Sequence, residues 1–136
     1  MDYWDNIENE RGEGMKIAKI ISIVDEMRPN QYELEDKTRW LSEVEGLLVD
    51  SVFNLAEGND ILFEKYEYEM DAEKELMLPD RYSDIYIHYL KAKIEFSDGE
   101  TEAYNNEVAA YQSAFDQFAA WYRRNHMPKN RAHFVV

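Results

Sequence analysis

Asp84 and His88 stand four residues apart. On a helix that spacing puts a carboxylate and an imidazole on one face, within reach of one cation. A pair without further convergent ligands is not a metal site, and a hydrogen-bonded histidine is the plainer reading. Acidic pairs raise a second chemistry, magnesium-dependent nucleotide hydrolysis, which some helical enzymes support with Glu-x-x-Glu pairs. Glu64 and Glu67 have the spacing but fall in a segment with a strand pattern. Glu43 and Glu45 lie two apart on a predicted helix and point different ways. A solvated acidic face accounts for them more simply. The five glycines are scattered at 12, 14, 46, 58 and 99, so no phosphate-binding loop is present. No local motif supports a nucleophilic serine. The chain has no cysteine, which excludes disulfides and thiolate zinc sites. No catalytic residue, metal or cofactor is expected.

The charge balance restricts partners. The formal net charge is −14, and nucleic-acid affinity rests mostly on Lys and Arg displacing counterions from phosphates. The one basic cluster is Arg123, Arg124, Lys129 and Arg131. It reads either as a helix end with a solvated tail or as a DNA contact. Ten tyrosines are more than a small core needs, since each buried hydroxyl must find a partner. Tyr and Trp are favoured at protein interfaces, which points towards assembly.

These residues must be carried by one domain of ordinary size. With 45% apolar residues the 136-residue chain is too apolar for disorder, despite 32% charged residues. No apolar run approaches the roughly 20 residues that span a bilayer, and the N-terminus lacks a signal pattern. Residues 1–14 hold five acids and one Arg without periodicity and read as an acidic arm. Codons for Glu10-Arg11-Gly12-Glu13-Gly14 can form a ribosome-binding-like stretch, so Met15 is a second candidate start; an ordinary arm is the equal alternative.

Periodicity predicts the elements of residues 15–128. Ile17, Ile20, Ile21 and Val24 make one apolar stripe of a helix over 16–27, stopped by Pro29. A second helix over 35–53 places Trp40, Val44, Leu47 and Ser51 on one side, and Leu41, Leu48 and Val52 widen it. Gly46 inside it should cost about 1 kcal/mol, which suggests close approach of another backbone. From residue 61 the period changes to two. Tyr66, Tyr68 and Met70 alternate with Lys65, Glu67 and Glu69, and Leu76 and Leu78 resume the alternation after residues 71–74. The pattern predicts a β-hairpin over 62–78. A third helix over 81–96 has Tyr82, Ile85, Tyr86, Tyr89 and Phe96 inside. A fourth, over 101–125, repeats Tyr104, Val108, Tyr111, Phe115, Phe118 and Tyr122 at coiled-coil spacing. Ala103, Ala110, Ala114 and Trp121 form a second stripe on it. Two stripes mean two neighbours, either both in this domain or one in another chain. The expected fold is mainly α, a four-helix bundle-like domain with a small β-hairpin between the second and third helices, followed by a tail over 129–136.

Several runs also have a familiar look. They are Ile20-Ile21-Ser22-Ile23-Val24-Asp25-Glu26-Met27-Arg28-Pro29-Asn30, then Arg39-Trp40-Leu41-Ser42-Glu43-Val44-Glu45-Gly46. Next come Leu78-Pro79-Asp80-Arg81-Tyr82-Ser83-Asp84-Ile85-Tyr86 and Tyr89-Leu90-Lys91-Ala92-Lys93-Ile94. Last are Tyr104-Asn105-Asn106 and the continuation to Trp121-Tyr122-Arg123-Arg124. In order and spacing, over about residues 17–129, they resemble the head–tail connector (adaptor or neck) proteins of tailed bacteriophages and of prophages in low-GC Gram-positive bacteria. The resemblance implies a ring of copies of the chain beneath the portal protein. That ring docks a stopper or tail-completion protein, and DNA passes through it without specific binding. It implies assembly in the host cytoplasm, a place in the virion neck, and no membrane. The acidic arm departs from the family pattern. Within this reading Tyr66, Tyr68 and Met70 of the hairpin and Arg131, Phe134, Val135 and Val136 of the tail are the expected protein contacts. The alternative is a small helical regulator that binds a protein, or DNA through Arg123, Arg124, Lys129 and Arg131.

Overall fold

The computed structural model describes residues 14–129. In chain order these form β1 (Gly14–Lys16), α1 (Ile17–Met27), α2 (Leu34–Ser51), the single turn α3 (Tyr68–Asp71), β2 (Glu75–Pro79), α4 (Asp84–Ser97) and α5 (Thr101–Asn125). The fold is mainly α, with four long helices among the described residues and one small antiparallel sheet.

The predicted stripe of α1 is buried in full: Ile17, Ile20, Ile21 and Val24. No side chain caps its N-terminus. Instead the Ile17 and Ala18 amides donate to the carbonyls of Lys74 and Ala72, so backbone from the turn before β2 satisfies two orphan donors. Pro29 ends the helix as expected. Arg28 then fastens the following loop to the far end of α4, donating to Glu95 and to Asp98 at 2.7 Å each. The Tyr32 hydroxyl also donates to Asp98. Buried Lys37 crosses back to Asp25 at 2.8 Å and Asn30 at 3.1 Å.

α2 is covered over a wider arc than its apolar positions alone. Trp40, Leu41, Val44, Leu48 and Val49 are buried, and so are Thr38, Ser42 and Glu45. Leu47 and Ser51, predicted on the inner side, are exposed. The helix is covered both by α1 and α4 and by the chain around Tyr66, and that second cover selects Ser42 and Glu45 over Leu47. Gly46 has no close neighbour: a Cβ built on it would meet no atom within 4 Å. The expected approach of another backbone is therefore not made among the described residues.

The hairpin over 62–78 does not form. β2 exists, but its partner is β1, with Gly14 opposite Pro79 and Lys16 opposite Glu75. Gly14 thus belongs to the folded domain and not to the acidic arm; the rest of that arm lies outside the described residues. Tyr66 is in no strand because its own groups are spent elsewhere. Its amide donates to Ser42 Oγ and its hydroxyl to Glu45. Tyr68 and Met70 fall in the helical turn α3. The strand is buried on both faces at Leu76, Met77 and Leu78, so the alternation read there had no polar side.

α4 is the central helix, packed against α1, α2 and α5. Ile85, Tyr86, Leu90 and Ile94 are buried, whereas Phe96, predicted inside, is 68% exposed. Gly99, at φ +75°, closes α4 in a Schellman arrangement: its amide donates to Phe96 and that of Glu100 to Glu95. α5 has the bounds that the periodicity predicts. Only Phe118, Ala119 and Tyr122 on it are buried, all in its C-terminal half. Phe118 joins the helix to the body through ring contacts with Phe53 and Tyr82, at 5.8 and 5.0 Å between centroids. Beyond α5 the chain runs antiparallel to residues 55–57. Glu57 donates to the Met127 carbonyl and the Lys129 amide to that of Leu55.

Candidate functional site

Two polar or aromatic constellations stand out, and they do different things. The first is inside. Glu45, fully buried on α2, accepts the Tyr66 hydroxyl at 2.7 Å, the Met77 amide at 2.9 Å and the Tyr86 hydroxyl. Tyr86 in turn accepts the Leu78 amide at 3.1 Å. A carboxylate so supplied with donors and closed to solvent holds chain segments together. It ties the chain at Tyr66, β2 and α4 to α2. Nothing in the sequence marked Glu45 as different from its neighbour Glu43. The available signal was a helical phase that puts residue 45 beside 41 and 48, both apolar.

Burial, and then the charge of Glu45, holds the Tyr86 hydroxyl proton to well above the ordinary value. Burial also pushes Tyr89 up, aided by its bond to Glu43, and raises Tyr111 to about 12. These groups keep their protons in the folded chain at pH values where the unfolded chain, near 10, has lost them. Their contribution is complete below about pH 10 and is lost as pH rises through the folded values. The urea midpoint should therefore fall steadily above about pH 10, before these tyrosines ionise in the folded chain. A midpoint unchanged up to about pH 12 would contradict this.

The second constellation is outside, a groove of about 280 Å³ between α4 and α5. Its walls are Tyr89, Ala92 and Phe96 on α4 with Tyr104, Val108 and Tyr111 on α5. None of α5 between Thr101 and Gln117 is buried, so this half of the predicted seam is only half covered. At one edge Glu43 of α2 accepts the Tyr89 hydroxyl at 2.7 Å and pairs with Lys93 at 3.1 Å. Asp116 lies beyond Tyr111. Leu47 on the adjoining stripe of α2 is 45% exposed. The groove is mostly aromatic and half open; Lys93 lines it too, and the carboxylate at its edge, Glu43, is engaged by Lys93 and the Tyr89 hydroxyl.

The residues expected to make protein contacts are dispersed. Tyr66 is a core residue. Tyr68 is half-buried, packed against the core's edge, while Met70 faces out at 78% exposure. The three do not share a face. Arg131, Phe134, Val135 and Val136 lie outside the described residues. Arg123 and Arg124 are exposed at the end of α5, and Lys129 is held by Asp60 and the Asn59 carbonyl.

His88 is turned away from a shared site with Asp84: its Nδ1 meets Glu107 at 2.7 Å, and Lys91 meets the same carboxylate at 3.0 Å. Among the described residues no three His, Asp or Glu side chains gather as a metal site. No described helix is long and apolar enough to cross a membrane. The chain matches no family of known proteins, no curated protein and no solved structure.

Proposed function

We propose that this protein is a head–tail connector subunit, assembling as a ring on a phage portal and offering its far side to a stopper or tail-completion protein. The observation that carries the proposal is the ordered set of connector-like runs between residues 17 and 129. The half-covered aromatic groove supports it, because Tyr-rich surfaces of this kind are typical of protein contacts. The net charge supports the DNA side of the reading. An acidic ring wall repels phosphates, so a duplex slides through without sticking.

The test is co-sedimentation of the full chain with its cognate portal, paired with a mobility-shift assay on duplex DNA at physiological salt. Association with the portal and no shift at micromolar protein are expected. If the chain never associates with a portal the connector reading fails, and a micromolar shift would replace it with the regulator.

A further inference from the structure

Arg81 lies just before α4, exposed, with its guanidinium over the rings of Tyr82 and Trp121 at 5.0 and 5.3 Å from their centroids. Both rings are half-buried, and Tyr82 is backed by buried Phe118. Ring contacts use the faces of the guanidinium plane and leave its N–H edge open to a carboxylate. Among the described residues no carboxylate takes it. Asp80 and Asp84 flank Arg81 along the chain, and neither pairs with it. Arg124 stands three residues beyond Trp121, on the same side of α5, also exposed and also without an acid among the described residues. Two guanidiniums and two partly open rings thus share one surface.

A segment that fits this surface is attached beside it. Gly14 pairs with Pro79, two residues before Arg81, and the two strands run antiparallel. The chain upstream of Gly14 therefore sets out in the direction in which Pro79 continues to Arg81. Paired Cα atoms lie about 5 Å apart and two further residues span at most ~7 Å, so Arg81 is within ~12 Å of Gly14. About four extended residues cover that distance, which brings Glu10 and every residue before it within reach. Residues 1–13 carry Asp2, Asp5, Glu8, Glu10 and Glu13 against Arg11 alone, and Tyr3 and Trp4 sit between the first two acids. Five acids and one Arg give the arm −4, which leaves −10 on residues 14–136. Most of the body repels such an arm, whereas unpaired cations beside aromatic rings attract it.

We infer that the acidic arm docks in cis on the Arg81–Trp121–Arg124 surface, with acids of residues 2–10 on the two guanidiniums and Trp4 beside Trp121. Arg81 is then held by rings on its faces and by carboxylate at its edge. The contact lies within one chain and holds with or without a ring of copies. It covers a surface of Tyr, Trp and Arg, the residue types that dominate protein contacts, so an acidic partner must displace the arm to use it.

The chain has no cysteine, so Asn6→Cys places a single nitroxide in the middle of the arm of the full-length protein. The indole N–H signals of Trp121 and Trp40 report on it. Trp40 packs on Tyr32, whose hydroxyl meets Asp98 at the far end of α4, ~21 Å along that helix from Asp84. At about 0.05 M salt the label should broaden Trp121 at least about fivefold more than Trp40, and about 0.5 M salt should remove most of that excess. Arg81→Gln/Arg124→Gln should abolish the excess at low salt with far-ultraviolet circular dichroism unchanged. Asp2→Asn/Asp5→Asn/Glu8→Gln/Glu10→Gln, which alters only the arm, should do the same. Equal broadening of the two indoles overturns the inference, as does an excess that survives both sets of charge substitutions. Broadening of Trp121 in an unlabelled chain mixed with the labelled one overturns it too, by giving the surface to the arm of a second copy.

Discussion

Replacing Glu45 with Leu should destabilise the protein by about 3–5 kcal/mol. The arithmetic is local. The substitution strands the Tyr66 hydroxyl, the Met77 amide and the Tyr86 hydroxyl in the interior. Each buried donor left without an acceptor costs about 1–3 kcal/mol, part of which the added apolar side chain offsets. Tyr66→Phe removes one donor and leaves the carboxylate with two others, so about 1–2 kcal/mol is expected there. Adding Tyr66→Phe to Glu45→Leu should then cost much less than Tyr66→Phe alone, since the hydroxyl already lacks its acceptor. Urea denaturation followed by circular dichroism measures all three. A loss below about 1 kcal/mol for Glu45→Leu would mean that the donors find other acceptors at little cost, and the assignment of Glu45 as the central tie would fall.

Phe118→Ala should cost a similar amount, about 3–5 kcal/mol, the usual range for a buried Phe. Phe118 is 1% exposed and meets the rings of Phe53, Tyr82, Trp121 and Tyr122. Through it the C-terminal half of α5 is held to the body. Tyr104, half-buried in the other half of α5, packs on exposed Phe96, and Tyr104→Ala should cost only about 1 kcal/mol. Equal losses would show that α5 is held evenly along its length. Amide exchange should follow the same gradient, slow around Phe118–Tyr122 and faster around Tyr104–Val108 in the isolated chain.

Much of the helical framework was legible in the residues. The α1 stripe, the stop at Pro29, the break at Gly99 and the full extent of α5 follow from local causes: the 3.6-residue period, the missing freedom before proline, and a positive φ. The readings that failed share a cause. Tyr66, Tyr68 and Met70 alternate along the chain as a strand would. A strand, however, needs a partner for its amides, and the amide of Tyr66 went to Ser42 and its hydroxyl to Glu45, more than twenty residues back. β2 in turn paired with Gly14–Lys16 at the other end of the described chain. Such long-range choices depend on which groups meet once the helices pack, and no local window contains them.

The same division holds for the surfaces. Net charge, the absence of cysteine, and the grouping of Arg123, Arg124, Lys129 and Arg131 near Phe134, Val135 and Val136 belong to the sequence. Which aromatic positions remain available to a partner was decided only in three dimensions. The α5 seam from Tyr104 to Tyr122 repeats evenly, so every position on it has the same claim to burial. Phe53 and Tyr82 stand opposite Phe118 and bury it, whereas the N-terminal half of α5 meets α4 through partly covered pairs, Tyr89 beside Tyr111 and the exposed Phe96 beside Tyr104. A hydrophobic period states that a helix has an inner face; the length of the neighbour that covers it determines how much of that face becomes core and how much is left as a groove.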